Sequence, residues 1–260
     1  MLLFVRTLVC CLLTALWPAT LRAGLVEIVA AAKPSIVLVG TYRPSDSPRF
    51  TFRGAGFVVG DGNQVLTGAH VLPEAATDAP APSAPPAPTL VVQVRRAGGT
   101  PQARAAVVQA IDRAHDVALL RIEGQALPAL VLADGAGVAE GQPVALIGFP
   151  IGGALGFSPV THRGIVSSIA PSALPFAAAR QLNETTVRRL RDEPFDVYQL
   201  DATAYPGNSG GPLLDADSGR VIGIVSFVFL KSTREGALSQ PSGITYAIPI
   251  RHVQALLGQR

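Results

Sequence analysis

An all-β domain of sandwich or barrel type is the fold class this chain predicts, and three observations carry the expectation. Short apolar, β-rich runs recur along almost the whole sequence. Between them sit turn formers, with 26 Gly and 22 Pro among 260 residues, which suits many tight connections better than long helices. Hydrophobic residues make up 48% of the chain against 15% charged, enough apolar material for a sizeable core. The length allows one large domain or two small ones.

In chain order the predicted strands are Ser35–Gly40, Gly54–Gly60, Gln64–Leu66, Leu90–Arg95, Ala105–Asp112, Val117–Ile122, Gln142–Gly148, Thr161–Ile169, Tyr198–Thr203, Gly211–Asp215, Val221–Val228 and Thr245–Pro249. Three segments break this rhythm. Pro73 to Pro88 is dominated by Ala and Pro, so it cannot pair as a strand interior and reads as a surface loop. Within Pro171 to Pro194, Ala177–Arg191 predicts a solvated helix with Arg188, Arg189 and Arg191 gathered at its end. Ile250–Leu257 predicts a short closing helix. No internal repeat is evident.

The first 23 residues carry Arg6, the apolar run Thr7 to Trp17, and Leu21-Arg22-Ala23 before Gly24, the pattern of a secretory leader cleaved after Ala23. Its apolar run is shorter than the ~20 residues that a spanning helix needs. Both cysteines, Cys10 and Cys11, fall in this leader, so the mature chain is expected to hold no disulfide and no Cys/His zinc site. A periplasmic or secreted location follows, with no stable membrane anchor once the leader is removed. The sequence pI is about 9.2, yet the net charge is only +3 and Arg6 and Arg22 belong to the leader. Nucleic acid is therefore not an expected partner.

Chemistry concentrates in three blocks. Gly207-Asn208-Ser209-Gly210-Gly211-Pro212-Leu213 places a hydroxyl on a tight turn whose backbone amides, at Gly207 and Ser209 above all, can face a developing oxyanion. Leu66-Thr67-Gly68-Ala69-His70-Val71 supplies a base, and His115-Asp116-Val117-Ala118-Leu119-Leu120-Arg121-Ile122 supplies a carboxylate. The order His70, Asp116, Ser209 is that of a base, an orienting acid and a nucleophile in acyl transfer.

With these blocks the chain resembles the trypsin-like serine peptidases, and among them the HtrA/Deg family, from about residue 26 to 252. Further support comes from Lys33-Pro34-Ser35-Ile36-Val37, Gly54-Ala55-Gly56-Phe57-Val58, Ala145-Leu146-Ile147-Gly148-Phe149-Pro150, Val160-Thr161-His162-Arg163-Gly164-Ile165-Val166-Ser167 and Gly243-Ile244-Thr245-Tyr246-Ala247-Ile248-Pro249. The resemblance implies two six-stranded barrels with the catalytic cleft between them. One spans about residues 24–132 and the other about 138–260, with a boundary near Leu130–Gly141. Family members usually carry PDZ modules after the protease, whereas this sequence ends at Arg260, so a protease domain without that module is expected.

The resemblance also assigns roles. His70 takes the Ser209 proton and returns it to the leaving amine, while Asp116 orients the ring. Gly207, Asn208 and Ser209 form the oxyanion hole. Thr203 stands at the base of the primary pocket, and Ser226, Phe227 and Val228 form its wall and pair with the substrate as an added strand. An uncharged Thr203 argues against Lys or Arg before the cut and for a small or medium aliphatic residue; a Thr hydroxyl bonded to nearby backbone is compatible with either preference. Asn208 cannot make the ion pair to a freed N-terminus that digestive relatives use, so order in Tyr205-Pro206-Gly207 is expected to control activity. His115 is read as a bystander facing away from Asp116 along a strand, and His162 and His252 as packing or surface residues.

The expected activity is endopeptidase action on unfolded or exposed protein segments, with no cofactor and no metal. Protein or peptide substrates are the expected partners, beside a homo-oligomer. A catalytically silent peptide-binding scaffold and a non-proteolytic esterase are the competing readings.

Overall fold

The computed structural model describes residues 23–73, 88–95, 101–153, 156–172, 195–226 and 243–258. The leader up to Arg22, the helix predicted at Ala177–Arg191, Phe227, Val228 and nearly all of the loop between Pro73 and Pro88 lie outside these residues.

Two six-stranded antiparallel β-barrels account for most of the chain. The first contains β1 (Ile36–Tyr42), β2 (Phe50–Val59), β3 (Gln64–Gly68), β4 (Thr89–Val94), β5 (Gln102–Asp112) and β6 (Val117–Ile122), closed in the order β1-β2-β3-β6-β5-β4. The second contains β7 (Pro143–Gly148), β8 (Val160–Pro171), β9 (Asp196–Asp201), β10 (Pro212–Asp215), β11 (Val221–Ser226) and β12 (Ile244–Pro249), closed as β10-β11-β12-β9-β8-β7. Closure leaves neither sheet with a free edge.

Side-chain alternation explains why several strands read as unbroken apolar runs. Along β1, Val37 and Val39 fill the interior of the first barrel, while Ile36 and Leu38 point to a second cluster between the barrels. The same division separates Val65 from Leu66 on β3, and Leu120 from Leu119 on β6. In the second barrel, Leu146, Leu213 and Val225 face inward, while Ile147, Leu214 and Ile224 join the shared cluster. Strands buried on both faces lose the apolar/polar alternation of a half-exposed sheet. Each fully buried Leu, Ile, Val or Phe contributes about 1.5–3 kcal/mol, so the inter-barrel layer holds the two bodies in a fixed relation.

Two helices bracket the barrels. α1 (Leu25–Ala32) precedes β1 and buries Ile28 and Ala32; the sequence expectation contained no helix here. α2 (Arg251–Leu256) follows β12 and sends Val253 into the inter-barrel cluster, close to the predicted closing helix. Between Ile122 and Pro143 the chain crosses from one barrel to the other. On the way Leu130 N–H donates to Val58 O at 2.8 Å and Ala133 N–H to Val221 O at 2.9 Å. The main departure in the strands is β2, which begins at Phe50 rather than Gly54.

Candidate active site

The register of β3 on β6 brings His70 and Asp116 together. Gly68 pairs with Val117, so the residues that follow Gly68 meet those that precede Val117. Beyond β3 the chain turns through a single 3-10 turn, Ala69–Val71. Arg53 holds that turn from β2, with Nε donating to Val71 O at 2.6 Å and its guanidinium to Leu72 O at 3.0 Å. Gly68 is required by close approach, because a Cβ there would stand 2.8 Å from His70 Cε1. Ala69 N–H donates to Asp116 O at 3.1 Å, and His70 N–H to Asp116 Oδ1 at 2.9 Å.

Side chains complete the arrangement. His70 Nδ1–H donates to the Asp116 carboxylate, at 2.7 Å from Oδ2 and 2.9 Å from Oδ1. That bond leaves His70 Nε2 as the acceptor, and Ser209 Oγ lies 2.6 Å from it. Ser226, the last residue of β11, donates its hydroxyl to Asp116 Oδ2 at 2.8 Å. The carboxylate is buried and accepts from three donors, while the His70 side chain remains 30% exposed at the open side. The structure thus brings His70, Asp116 and Ser209 into one hydrogen-bonded path. Ser226, predicted to line the substrate wall, also supports the acid. A Ser at the end of an apolar strand carries no local sign of that contact; the folded position of β11 against the Asp116 turn creates it.

Ser209 sits in the turn between β9 and β10. Its carbonyl accepts from Ala55 N–H at 2.8 Å, and Gly210 N–H donates to Val225 O at 2.8 Å, so the turn is anchored to both barrels. Gly207 has a φ of 105°, open to glycine but not to other residues without strain. The segment after β7 grips this turn: Phe149 N–H donates to Gly207 O at 3.3 Å, and Ile151 N–H to Pro206 O at 2.8 Å. Because a peptide is planar and trans, a Pro206 carbonyl held toward Ile151 directs the Gly207 N–H the opposite way. Ile151 itself has a φ of 59°, an uncommon conformation for a β-branched residue.

Asn208 corrects one assignment. Its backbone N–H is already donated to Tyr205 O at 3.0 Å, so this amide is not an oxyanion donor. Its side chain is fully buried, and both amide ends lack a hydrogen-bond partner. Thr203 lies half-buried just after β9. The backbone beside it is fixed by Thr245, whose hydroxyl donates to Ala202 O at 2.6 Å. Phe227 and Val228 lie outside the described residues.

The other histidines separate from this path. His115 occupies a turn rather than a strand, so strand alternation is not what turns it from the cleft; instead its ring pairs with Asp112 at 2.6 Å. Burial would raise the Asp112 pKa, but bonds from the His115 ring and backbone outweigh it and the pKa is lowered. His162 is kept toward its neutral form by burial, and its Nε2 has no partner. Among the described residues no group of three or more His, Cys, Asp or Glu side chains is placed to hold a metal ion, and no helix is long and apolar enough to cross a membrane.

Comparison with known proteins agrees with this geometry. The model of the trypsin-like peptidase domain matches residues 54–224, which includes all three residues of the path. A mitochondrial serine protease HTRA2 of Drosophila pseudoobscura pseudoobscura is 30% identical over 82% of this chain and 40% of its own length. A "probable periplasmic serine endoprotease DegP-like" of Pseudomonas fluorescens is 34% identical over 76% of this chain and 32% of its own. The chain therefore spans about two fifths or less of these curated relatives. The crystal structure of Deg5 shares the fold, with a TM-score of 0.62 at 24% identity, covering 88% of this chain and 90% of that one. The HtrA-type protease AlgW, solved with a tripeptide, gives a TM-score of 0.61 at 25% identity over 90% of this chain and 62% of its own. From its matched domain and its two-barrel fold, this chain belongs to the trypsin-like peptidase family, with HtrA- and DegP-like proteases among its relatives.

Proposed function

We propose that the chain is an exported serine endopeptidase that cuts exposed or unfolded protein segments. The observation that supports it best is the unbroken hydrogen-bonded path from Asp116 through His70 to Ser209, with distances of 2.7 and 2.6 Å. In this reading His70 Nε2 takes the proton as Ser209 Oγ attacks the scissile carbonyl. The amides of Gly207 and Ser209 receive the oxyanion. Asp116 keeps the ring in the tautomer with Nδ1 protonated and stabilises the imidazolium that forms. His70 then protonates the leaving amine, and water repeats the sequence on the acyl-enzyme.

An uncharged Thr203 offers no counter-charge to a Lys or Arg in the primary pocket, and an unpaired buried charge costs several kcal/mol. Val, Ala, Ile or Leu is therefore the expected residue before the cut. A hundredfold preference needs only ~2.7 kcal/mol of that difference to persist in the transition state.

A fluorophosphonate probe and casein digestion test the reading together. The expected result is covalent labelling of Ser209 and casein cleavage, both abolished in Ser209→Ala. Labelling without casein cleavage points to an esterase, and neither result points to a silent scaffold. Recovery of the chain from the producing cell still carrying Met1 to Ala23, in the cytoplasm, counts against export.

A further inference from the structure

Asp116 adopts a φ of 55°, in the left-handed region that a residue with a side chain seldom occupies unless its surroundings enforce it. The turn that carries it is weakly closed on its own account, with Asp116 N–H 3.4 Å from Arg113 O. A firmer hold lies one residue upstream. His115 N–H donates to Asp112 Oδ1 at 3.0 Å, and its ring Nδ1–H to Oδ2 at 2.6 Å. Asp112 ends β5, so the turn is pinned to that strand through both backbone and ring of His115.

The far face of the same ring is also occupied. His252, from α2, stacks on His115 with centroids 4.1 Å apart and planes 21° apart. Phe195, just before β9, meets both rings edge-on, at 4.6 Å from His115 and 5.0 Å from His252. Two elements distant in sequence thus converge, with the nearby Asp112, on the residue that precedes Asp116, and the path from Asp116 to Ser209 uses none of them.

We propose that His115 is a positioning residue for the catalytic acid: clamped between Asp112 and the His252–Phe195 pair, it fixes the turn bearing Asp116 and couples that carboxylate to the docking of α2. The inference rests on reading Asp116, His70 and Ser209 as the triad. The cluster is sensitive to acid. His115, Arg251, Asp112 and Asp196 are the charged or titratable groups around His252. Burial first, then repulsion from His115 and Arg251, lowers the His252 pKa to about 4 despite attraction from Asp112 and Asp196. Near neutral pH an uncharged His252 can lie flat on His115; a charged one faces a second imidazole and Arg251, so acid loosens the stack.

The test compares His115→Ala, His252→Ala and His252→Phe in the full chain, following kcat, KM, thermal midpoint and fluorophosphonate labelling. Both Ala variants are expected to lower kcat about tenfold and leave KM within about twofold. His252→Phe keeps a flat ring and is expected to recover most of the lost turnover. It also serves if His252→Ala fails to fold. Parental kcat in folded Ala variants overturns the proposal, as does a rise in KM that matches the fall in kcat, or a loss of kcat that only follows the thermal midpoint and is not recovered in His252→Phe. A parent chain that neither labels at Ser209 nor cleaves peptide overturns the triad reading and this inference with it; a labelled parent with unaffected variants overturns the inference alone.

Discussion

Replacing Gly207 by Ala probes the oxyanion turn with the smallest possible side chain. At φ 105° an L-residue is strained by about 1–3 kcal/mol. The new Cβ also runs into Phe149 O, with Phe149 C and Phe52 Cε1 each at 3.2 Å, so the backbone must move. The route open to it weakens the bonds from Phe149 N–H to Gly207 O and from Ile151 N–H to Pro206 O, now 3.3 and 2.8 Å. Turning that peptide removes one oxyanion donor, a loss of about 10²–10³ in kcat, or 2.7–4 kcal/mol. KM is expected to change far less, because the ground-state carbonyl depends little on that donor. Steady-state kinetics on a peptide ester and a peptide amide, with thermal melting of both proteins, measure these effects. A folded Gly207→Ala enzyme with kcat within about fivefold of the parent refutes the assignment of this amide.

Three other outcomes are expected. Ser226→Ala removes a donor to the Asp116 carboxylate, and since bonds to charged groups contribute about 1.5–3 kcal/mol, kcat/KM should fall roughly tenfold or more; an unchanged value in peptide hydrolysis counts against that support. Ile151→Pro deletes the N–H that holds Pro206 O and forbids a positive φ, so turnover should fall while Ile151→Gly, which keeps the amide, retains far more of it; equal rates from the two variants discount the grip. For His252, the folded pKa of about 4 lies below the ordinary 6.5, so the unfolded chain binds a proton that the folded chain refuses, and stability drops as pH falls from about 6.5 to 4. The full difference is at most ~3.4 kcal/mol, reduced by solvent screening at a half-buried ring to about 1–2 kcal/mol; calorimetry at pH 7 and pH 4 should show that part of the loss vanish in His252→Phe.

The residues of the Asp116–His70–Ser209 path were legible because each sits in a block whose composition announces its chemistry: glycines around Ser209, a small residue before His70, a charged pair before an apolar strand at Asp116. The barrels were legible because their strands are short and well punctuated. What escaped depends on tertiary partners. α1 buries only Ile28 and Ala32, too sparse a stripe to stand out beside an apolar leader. The start of β2 at Phe50 follows the turn-rich Arg43-Pro44-Ser45-Asp46-Ser47-Pro48, which suppresses a strand signal. Ile151 takes the left-handed conformation although Gly152 and Gly153 stand beside it, the reverse of local preference. The stack of His115 on His252 joins the start of one catalytic strand to the end of the chain, a meeting that no local pattern encodes.

The inter-barrel layer makes the enzyme a mechanical device as well as a chemical one. His70 and Asp116 ride on the first barrel and Ser209 on the second, and the closed sheets are too stiff to absorb a displacement within either body. A relative slide of only about 1 Å would stretch the 2.6 Å contact between His70 Nε2 and Ser209 Oγ beyond hydrogen-bond range. Ala55 N–H on Ser209 O and Ser226 Oγ on Asp116 Oδ2, at 2.8 Å each, are the stitches that oppose such a slide. Any force or ligand that shears the barrels would therefore act as a throttle on turnover without touching a catalytic atom.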